Sequence, residues 1–367
     1  MKKSFIFVFI LFLIGCGSNI SREFETIRIT KNIVDAIRID EIFAACTFVN
    51  LEATDSSLVD PWHIVLRNDV IYISDRSRIF QFSTDGEHLR TLNRRGRGPG
   101  EYLGISDFVI SDEEIIIWDR NGRTLFKYSL ENRYIDSYKL DDYISTIYII
   151  DKNRILLSSA YSRNDEYKFR IRNLETMDLI TSFYPINQAH TSYRHFMGET
   201  NYYVYNNVLL FHESMSNYVY KIENHEFNPA YHIDIYGQNP PDEFWNREYE
   251  DVGEVRKIAR ERGYCFGIPM YAESDKQILF SFEYENKSML CRYLKETGES
   301  IQWEKIILFQ NMPAVESGWI GKSMDSEDHF LVLDSGDFFD DNGMPYVEEL
   351  SHLSNNGNPV ICIAKLR

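Results

Sequence analysis

The chain has 367 residues, enough for two or three ordinary domains or for one large all-β ring. Hydrophobic residues make up 44% and charged residues 26%, a folded composition, and the 24 Tyr and 24 Phe favour strands over disorder. A formal charge of −17 excludes a general nucleic-acid binder, which needs a surplus of Lys and Arg to neutralise phosphates.

At the N-terminus, Lys2 and Lys3 precede an apolar run from Phe5 to Ile14. A bilayer span takes roughly 20 residues, so this run is too short to cross and fits the core of a signal peptide. Leu13-Ile14-Gly15-Cys16 closes it and resembles the bacterial lipobox, in which the cysteine is acylated and cleavage falls just before it. The expected division is residues 1–15 as a lipoprotein signal peptide, Cys16 as the lipidated residue with 16–24 as tether, and 25–367 as the folded domain. Acyl chains anchor because each buried CH₂ contributes about 0.8 kcal/mol. Gly17 follows the cysteine and not Asp, so no inner-membrane retention signal is visible, and the expected location is the outer membrane, facing periplasm or surface. Losing residues 1–15 removes Lys2 and Lys3 and leaves 37 basic and 56 acidic residues, a charge of −19 that anionic head groups repel. Membrane contact is therefore expected through the lipid alone. Cys46, Cys265, Cys291 and Cys362 remain, with spacings that suggest no disulfide framework and read as buried free thiols.

Beyond the tether, a β-rich unit of about 40 residues recurs, a period typical of propeller blades. The clearest copy runs Val70 to Asp75, Ile79 to Phe82, the turn Ser83-Thr84-Asp85-Gly86, then His88 to Leu92. The second has Glu114 to Asp119, Thr124 to Tyr128 and Tyr134 to Tyr138, with Asp75 and Asp119 in equivalent places. Four weaker copies follow, the last ending with Val360 to Ala364 and lacking one strand. Glu25 to Thr30 is the natural donor. The expected fold is an all-β, six-bladed β-propeller closed by pairing of N- and C-terminal strands, with a helical insert between blades four and five.

Asp85-Gly86 followed by Gly96-Arg97-Gly98-Pro99-Gly100-Glu101-Tyr102 resembles the NHL-type repeat. Together with Val49-Asn50-Leu51-Glu52 and Asn358-Pro359-Val360, it makes the chain similar to six-bladed β-propeller lipoproteins of Gram-negative gut bacteria. That resemblance implies a propeller and a cell-envelope location and no settled activity.

Strand parity puts the long connections, 184–200, 236–266 and 334–358, on one face, where ligand sites gather. The connection 236–266 predicts a helix from about Asp242 to Arg262, with Trp245, Tyr249, Val252, Val255 and Ala259 on one stripe. The stripe either packs on the rim or presents Trp245 and Tyr249 to a substrate or partner. Units one and two place Arg76, Arg78, Arg94, Arg95, Arg97, Arg120 and Arg123 on the same face, a local reversal of sign. Guanidinium forks suit carboxylate, sulfate or phosphate, so the expectation is an anionic ligand such as an acidic glycan fragment. The competing reading pairs these arginines with Asp75, Asp119 and Glu101, or leaves them in water.

No catalytic reaction is visible. Gly96-Arg97-Gly98-Pro99-Gly100 is no dinucleotide fingerprint, and Gly321-Lys322-Ser323 lacks the first glycine of a phosphate loop. No His-Glu-x-x-His, Gly-x-Ser-x-Gly or Cys-x-x-Cys occurs. His190 and His195 lie on a loop of the candidate face and read as surface residues. In Asp334–Gly343 a calcium register would use Asp340, Asn342 and Glu349, but Phe338 stands where the first ligand belongs, so the default is a solvated acidic loop with no cofactor. The functional expectation is a cell-envelope lipoprotein acting as a ligand-binding or scaffold propeller. The alternatives are a lyase or hydrolase-type propeller enzyme and a protein-docking platform in an envelope complex.

Overall fold

The computed structural model describes residues 24–367 apart from 195–201, 317–319, 323–327, 341, 349, 350, 352, 354 and 356. Cys16 and the rest of the expected leader and tether up to residue 23 lie outside the described residues. Among the described residues, no helix is long and apolar enough to cross a membrane.

Short strands separated by Gly, Asn and Asp turns fold as antiparallel meanders. The first blade is His63–Arg67, Val70–Ser74, Ile79–Ser83 and His88–Leu92, paired in chain order. Its two middle strands are covered on both faces: Ile71, Ile73, Phe80 and Phe82 are buried, and so are Tyr72 and Gln81 between them. Sheets flanked by other sheets require this, and it is why the middle strands read as near-continuous apolar runs. At the hairpin tip, Gly86 sits at φ +90°, and a Cβ there would fall 2.1 Å from the Asn50 carbonyl oxygen, so only glycine fits.

The second blade is Asp107–Ile110, Glu114–Asp119, Thr124–Ser129 and Tyr134–Lys139, and the third is Ile144–Asp151, Arg154–Ser159, Tyr167–Asn173 and Leu179–Pro185. The fourth, Tyr202–Tyr205, Val208–His212, Tyr218–Glu223 and Glu226–Ile235, carries Glu25–Ile29 as a parallel fifth strand. The fifth is Tyr271–Glu273, Gln277–Tyr284, Lys287–Leu294 and Ser300–Trp303. The last is Ile320–Lys322, Asp328–Leu333, Val360–Leu366 and Phe43–Asn50.

Two expectations need correction. The sheets number seven and not six, because Ala36–Arg38 pairs in parallel with Lys305–Ile307, which pairs with Val315–Glu316. The chain is a seven-bladed β-propeller in which this blade is small. Ring closure does join N- and C-terminal strands, but the donor is Phe43–Asn50, antiparallel to Val360–Leu366, and not the strand at 25–30. That earlier strand covers the fourth blade's outer edge. Residues 25–50 thus run as a belt that adds one strand each to the fourth blade, the small sheet and the last blade, burying edges that would otherwise invite association.

The apolar core is distributed between blades. Separate clusters join the first blade to the second (Tyr102, Phe108), the second to the third (Trp118, Leu157), the third to the fourth (Phe169, Phe211) and the last to the first (Ile64, Phe330, Ile361). The largest spans the fourth, fifth and last blades and includes Ile37 and Ile306 of the small sheet.

Candidate binding face

On the long-connection face, Asp75 and Asp119 end equivalent strands and fold the turns beyond them. Asp75 Oδ1 accepts from the backbone N–H groups of Ser77 and Arg78 at 2.9 and 2.7 Å, and Asp119 accepts from those of Gly122 and Leu103 at 3.0 and 2.7 Å. Between them, the Gly96–Tyr102 segment is a latch. Tyr102 is fully buried, its hydroxyl donates to the Ser77 carbonyl at 3.0 Å, and burial pushes that hydroxyl up to about 12. Glu101 accepts from the Gly98 N–H at 2.7 Å, and Tyr128 donates to the Gly100 carbonyl at 2.8 Å. The segment is therefore held through its backbone by the side chains of Glu101, Tyr102 and Tyr128.

These turns knit the seven arginines into one sector, but their occupations differ. Arg78 is bound to Asp75 at 2.7 Å. Arg120 donates to the Ile144 and Ser145 carbonyls, and burial lowers its pKa. Arg76 lies with its guanidinium 3.5 Å over the ring of Trp62, itself 43% exposed. Arg95 donates to the Leu103 carbonyl at 3.2 Å and is otherwise exposed. Arg94, Arg97 and Arg123 are exposed and, among the described residues, enter no ion pair. Arg76, Arg94, Arg97 and Arg123 thus stand outside any ion pair among the described residues, beside a partly open Trp62.

The expected single helix is two: Asp242–Trp245 and Val252–Glu261. Asp251 begins the second by accepting from the Glu254 N–H at 3.0 Å, which is why the stripe breaks after Trp245. Trp245 and Tyr249 are nevertheless buried, packed with Tyr193, Met215, Val255 and Ala259, and Tyr249 donates to the Phe244 carbonyl. The structure spends both on the rim, away from the arginines.

Beside this insert lies a charged cluster that sequence reasoning missed. Glu213 follows the second strand of the fourth blade, the place Asp75 and Asp119 hold in theirs. Its carboxylate binds Lys168 at 2.9 Å, Arg194 at 3.2 Å and the Tyr161 hydroxyl at 2.8 Å. Lys168 also sits 3.7 Å over the Tyr161 ring. Burial alone would raise the Glu213 pKa, but the two cations outweigh it and hold the carboxyl below its ordinary value. The only signal in the sequence was the shared strand-end position.

His190 packs beside this cluster, and burial, reinforced by Arg194, pushes it down to about 4; burial does the same to His212. A histidine held neutral in the fold contributes stability above the unfolded value of about 6.5 and loses it as pH falls toward 4. Unfolding midpoints in denaturant should therefore drop between pH 6.5 and 4, and His212→Gln should flatten that slope. An unchanged slope would show that carboxylates alone govern it. His195 lies outside the described residues, as does Glu349. Asp340 accepts from the N–H groups of Asn342 and Met344, and Asn342 is exposed. Among the described residues no three His, Cys, Asp or Glu side chains are grouped to hold a metal ion.

The family model for a domain of unknown function, DUF4934, matches residues 24–365. No curated protein matches the chain. Among solved structures, a presumed exported protein from Bacteroides fragilis is similar at 18% identity and TM-score 0.71, covering 93% of this chain and 99% of that one. A DUF4221 family member from Bacteroides vulgatus aligns at 11% identity and TM-score 0.47, over 89% and 97% of the two chains. At 18% identity the likeness to the Bacteroides fragilis protein shows the fold alone.

Proposed function

The chain belongs to the DUF4934 family, and from that premise we propose that it is an exported, lipid-anchored propeller that binds an anionic ligand on its long-connection face. Export is supported by the basic, apolar and Leu-Ile-Gly-Cys16 pattern and by the description of the similar Bacteroides fragilis protein. Anchoring would leave the domain on the outer membrane, tethered through residues 16–24. Replacing Cys16 by Ala should abolish labelling with radioactive palmitate and release the protein to the soluble fraction. Retention of label in that variant would sink the anchor.

The observation that carries the binding reading is the set Arg94, Arg97 and Arg123, exposed and, among the described residues, without ion pairs on a chain of net charge −17. The carboxylates of Asp75 and Asp119 are already engaged by Arg78 and by turn N–H groups. Arg76 over Trp62 adds an apolar platform with a cationic edge, which suits the ring and carboxylate of a uronic acid. The test is a glycan array containing uronate and sulfated oligosaccharides. Arg94→Glu, Arg97→Glu and Arg123→Glu together should weaken any bound anion at least tenfold, and rising salt should weaken the parent protein. Equal binding by parent and triple variant would dismiss this sector as the site.

A further inference from the structure

The four described cysteines are free, yet they do not stand alike. Cys265 is fully buried against the Gln238 side chain, and Cys291 against Gln302; burial pushes both thiols up to about 12, where they are inert. Cys46 and Cys362 differ. They lie on the two strands that close the ring, in a register where Cys46 faces Ala364 and Phe48 faces Cys362. The two cysteines are therefore diagonal neighbours on one face of the sheet, within one apolar cluster. The neighbouring Cys362 thiol lowers the pKa of Cys46, and Cys46 together with burial raises that of Cys362. Cys46 is partly exposed and Cys362 is buried.

We propose that Cys46 and Cys362 form a reversible disulfide that locks the closing strand Phe43–Asn50 to Val360–Leu366. It rests on the exported reading only for where it operates in the cell. The oxidant is a protein disulfide or another disulfide of the envelope. The Cys46 thiol, the reachable and more acidic of the two, releases its proton to water and attacks one sulfur of the oxidant, expelling the other as a thiolate. Cys362, once deprotonated, then attacks Cys46 Sγ in the mixed disulfide and releases the second oxidant thiol. One Cys46–Cys362 S–S bond forms, one S–S bond of the oxidant is lost, and two electrons and two protons leave this chain. The buried, raised thiol of Cys362 makes the second step the slow one. The bond encloses nearly the whole domain, the arrangement in which a cross-link most restricts the unfolded chain.

Glutathione disulfide is the probe. Treatment of the folded mature protein, followed by alkylation under denaturing conditions, should leave Cys265 and Cys291 modified and yield one peptide pair joined through Cys46 and Cys362. The oxidised form should melt about 5 °C higher, and dithiothreitol should reverse the gain. Cys46→Ser should fold, show no cross-link and no redox-dependent melting. A folded protein with all four thiols still alkylated, or a cross-link through Cys265 or Cys291, would overturn the proposal. If the purified protein cross-links as described but protein taken from cells is wholly reduced, the pair stands and the exported reading fails.

Discussion

A chain beginning at residue 51 is expected to be unfolded, whereas one beginning at residue 31 is expected to fold. The longer truncation removes Phe43–Asn50 and strips the last blade of its outer strand, exposing the edge of Val360–Leu366. It also removes Ile37, Ile39, Ile42, Phe43 and Val49, all buried. Each such side chain contributes about 1.5–3 kcal/mol, so their sum rivals the roughly 5–15 kcal/mol that holds a whole domain together. The shorter truncation removes Glu25–Ile29, whose buried residues are Ile27 and Ile29. The fourth blade keeps its own four strands, so the expected result is a lower melting temperature with native circular dichroism. A cooperative melt and native spectrum from the chain starting at 51 would contradict this account of closure.

How far the sequence discloses this arrangement depends on distance along the chain. The 40-residue unit and the Asp85-Gly86 turn are local signals, and most strands of the six larger blades stand close to where alternation puts them, His63–Arg67 and Phe43–Asn50 excepted. Gly86, with its positive φ and the Asn50 carbonyl against it, shows the turn reading to be physical. The seventh sheet was invisible because Ala36–Arg38 and Lys305–Ile307 are three residues each, too short for a period of two to register. Strand donation misled for a related reason. Glu-Thr-Ile-Arg-Ile alternates cleanly, while Phe-Ala-Ala-Cys-Thr-Phe-Val-Asn does not, yet the second closes the ring, and no local pattern says which of two strands meets a distant edge. The arginines were legible as composition, but which of them pairs with a carboxylate, as Arg78 does, and which turns to backbone carbonyls, as Arg120 does, depends on turns that only folding creates. Trp245 and Tyr249 were legible as apolar, but not the break in the helix: Tyr249 lies between the two helices, and burial with Tyr193 and Val255 decides its use.

Glu213→Ala is expected to cost about 3–5 kcal/mol, the largest loss from any single side chain on the binding face. The carboxylate neutralises two cations drawn from separate segments: Lys168, whose side chain is 3% exposed, and Arg194, whose side chain is 10% exposed. Alanine leaves both without their counter-ion in a site that water barely reaches, and the surrounding loops must open or Lys168 must lose its proton. Tyr161→Phe removes only one hydroxyl donor, leaves both ion pairs in place, and should cost about 1 kcal/mol. Glu213→Gln keeps the shape but not the charge, so it should fall nearer the alanine variant than the Tyr161 one. The pH dependence separates charge from packing. The Glu213 pKa is lowered in the fold, so its contribution is complete above the unfolded value of about 4.3 and is lost as pH falls through the folded value. The parent protein should therefore weaken toward acid more steeply than Glu213→Gln, and the two stability curves should converge at low pH. Chemical denaturation of the three variants from pH 3 to 7 reads this directly; parallel curves would mean that the carboxylate packs without bearing its charge. Because the cluster ties the link before the fourth blade to the turns of the third and fourth, its loss should also expose residues 186–194 to proteolysis and leave the turns of the first two blades protected.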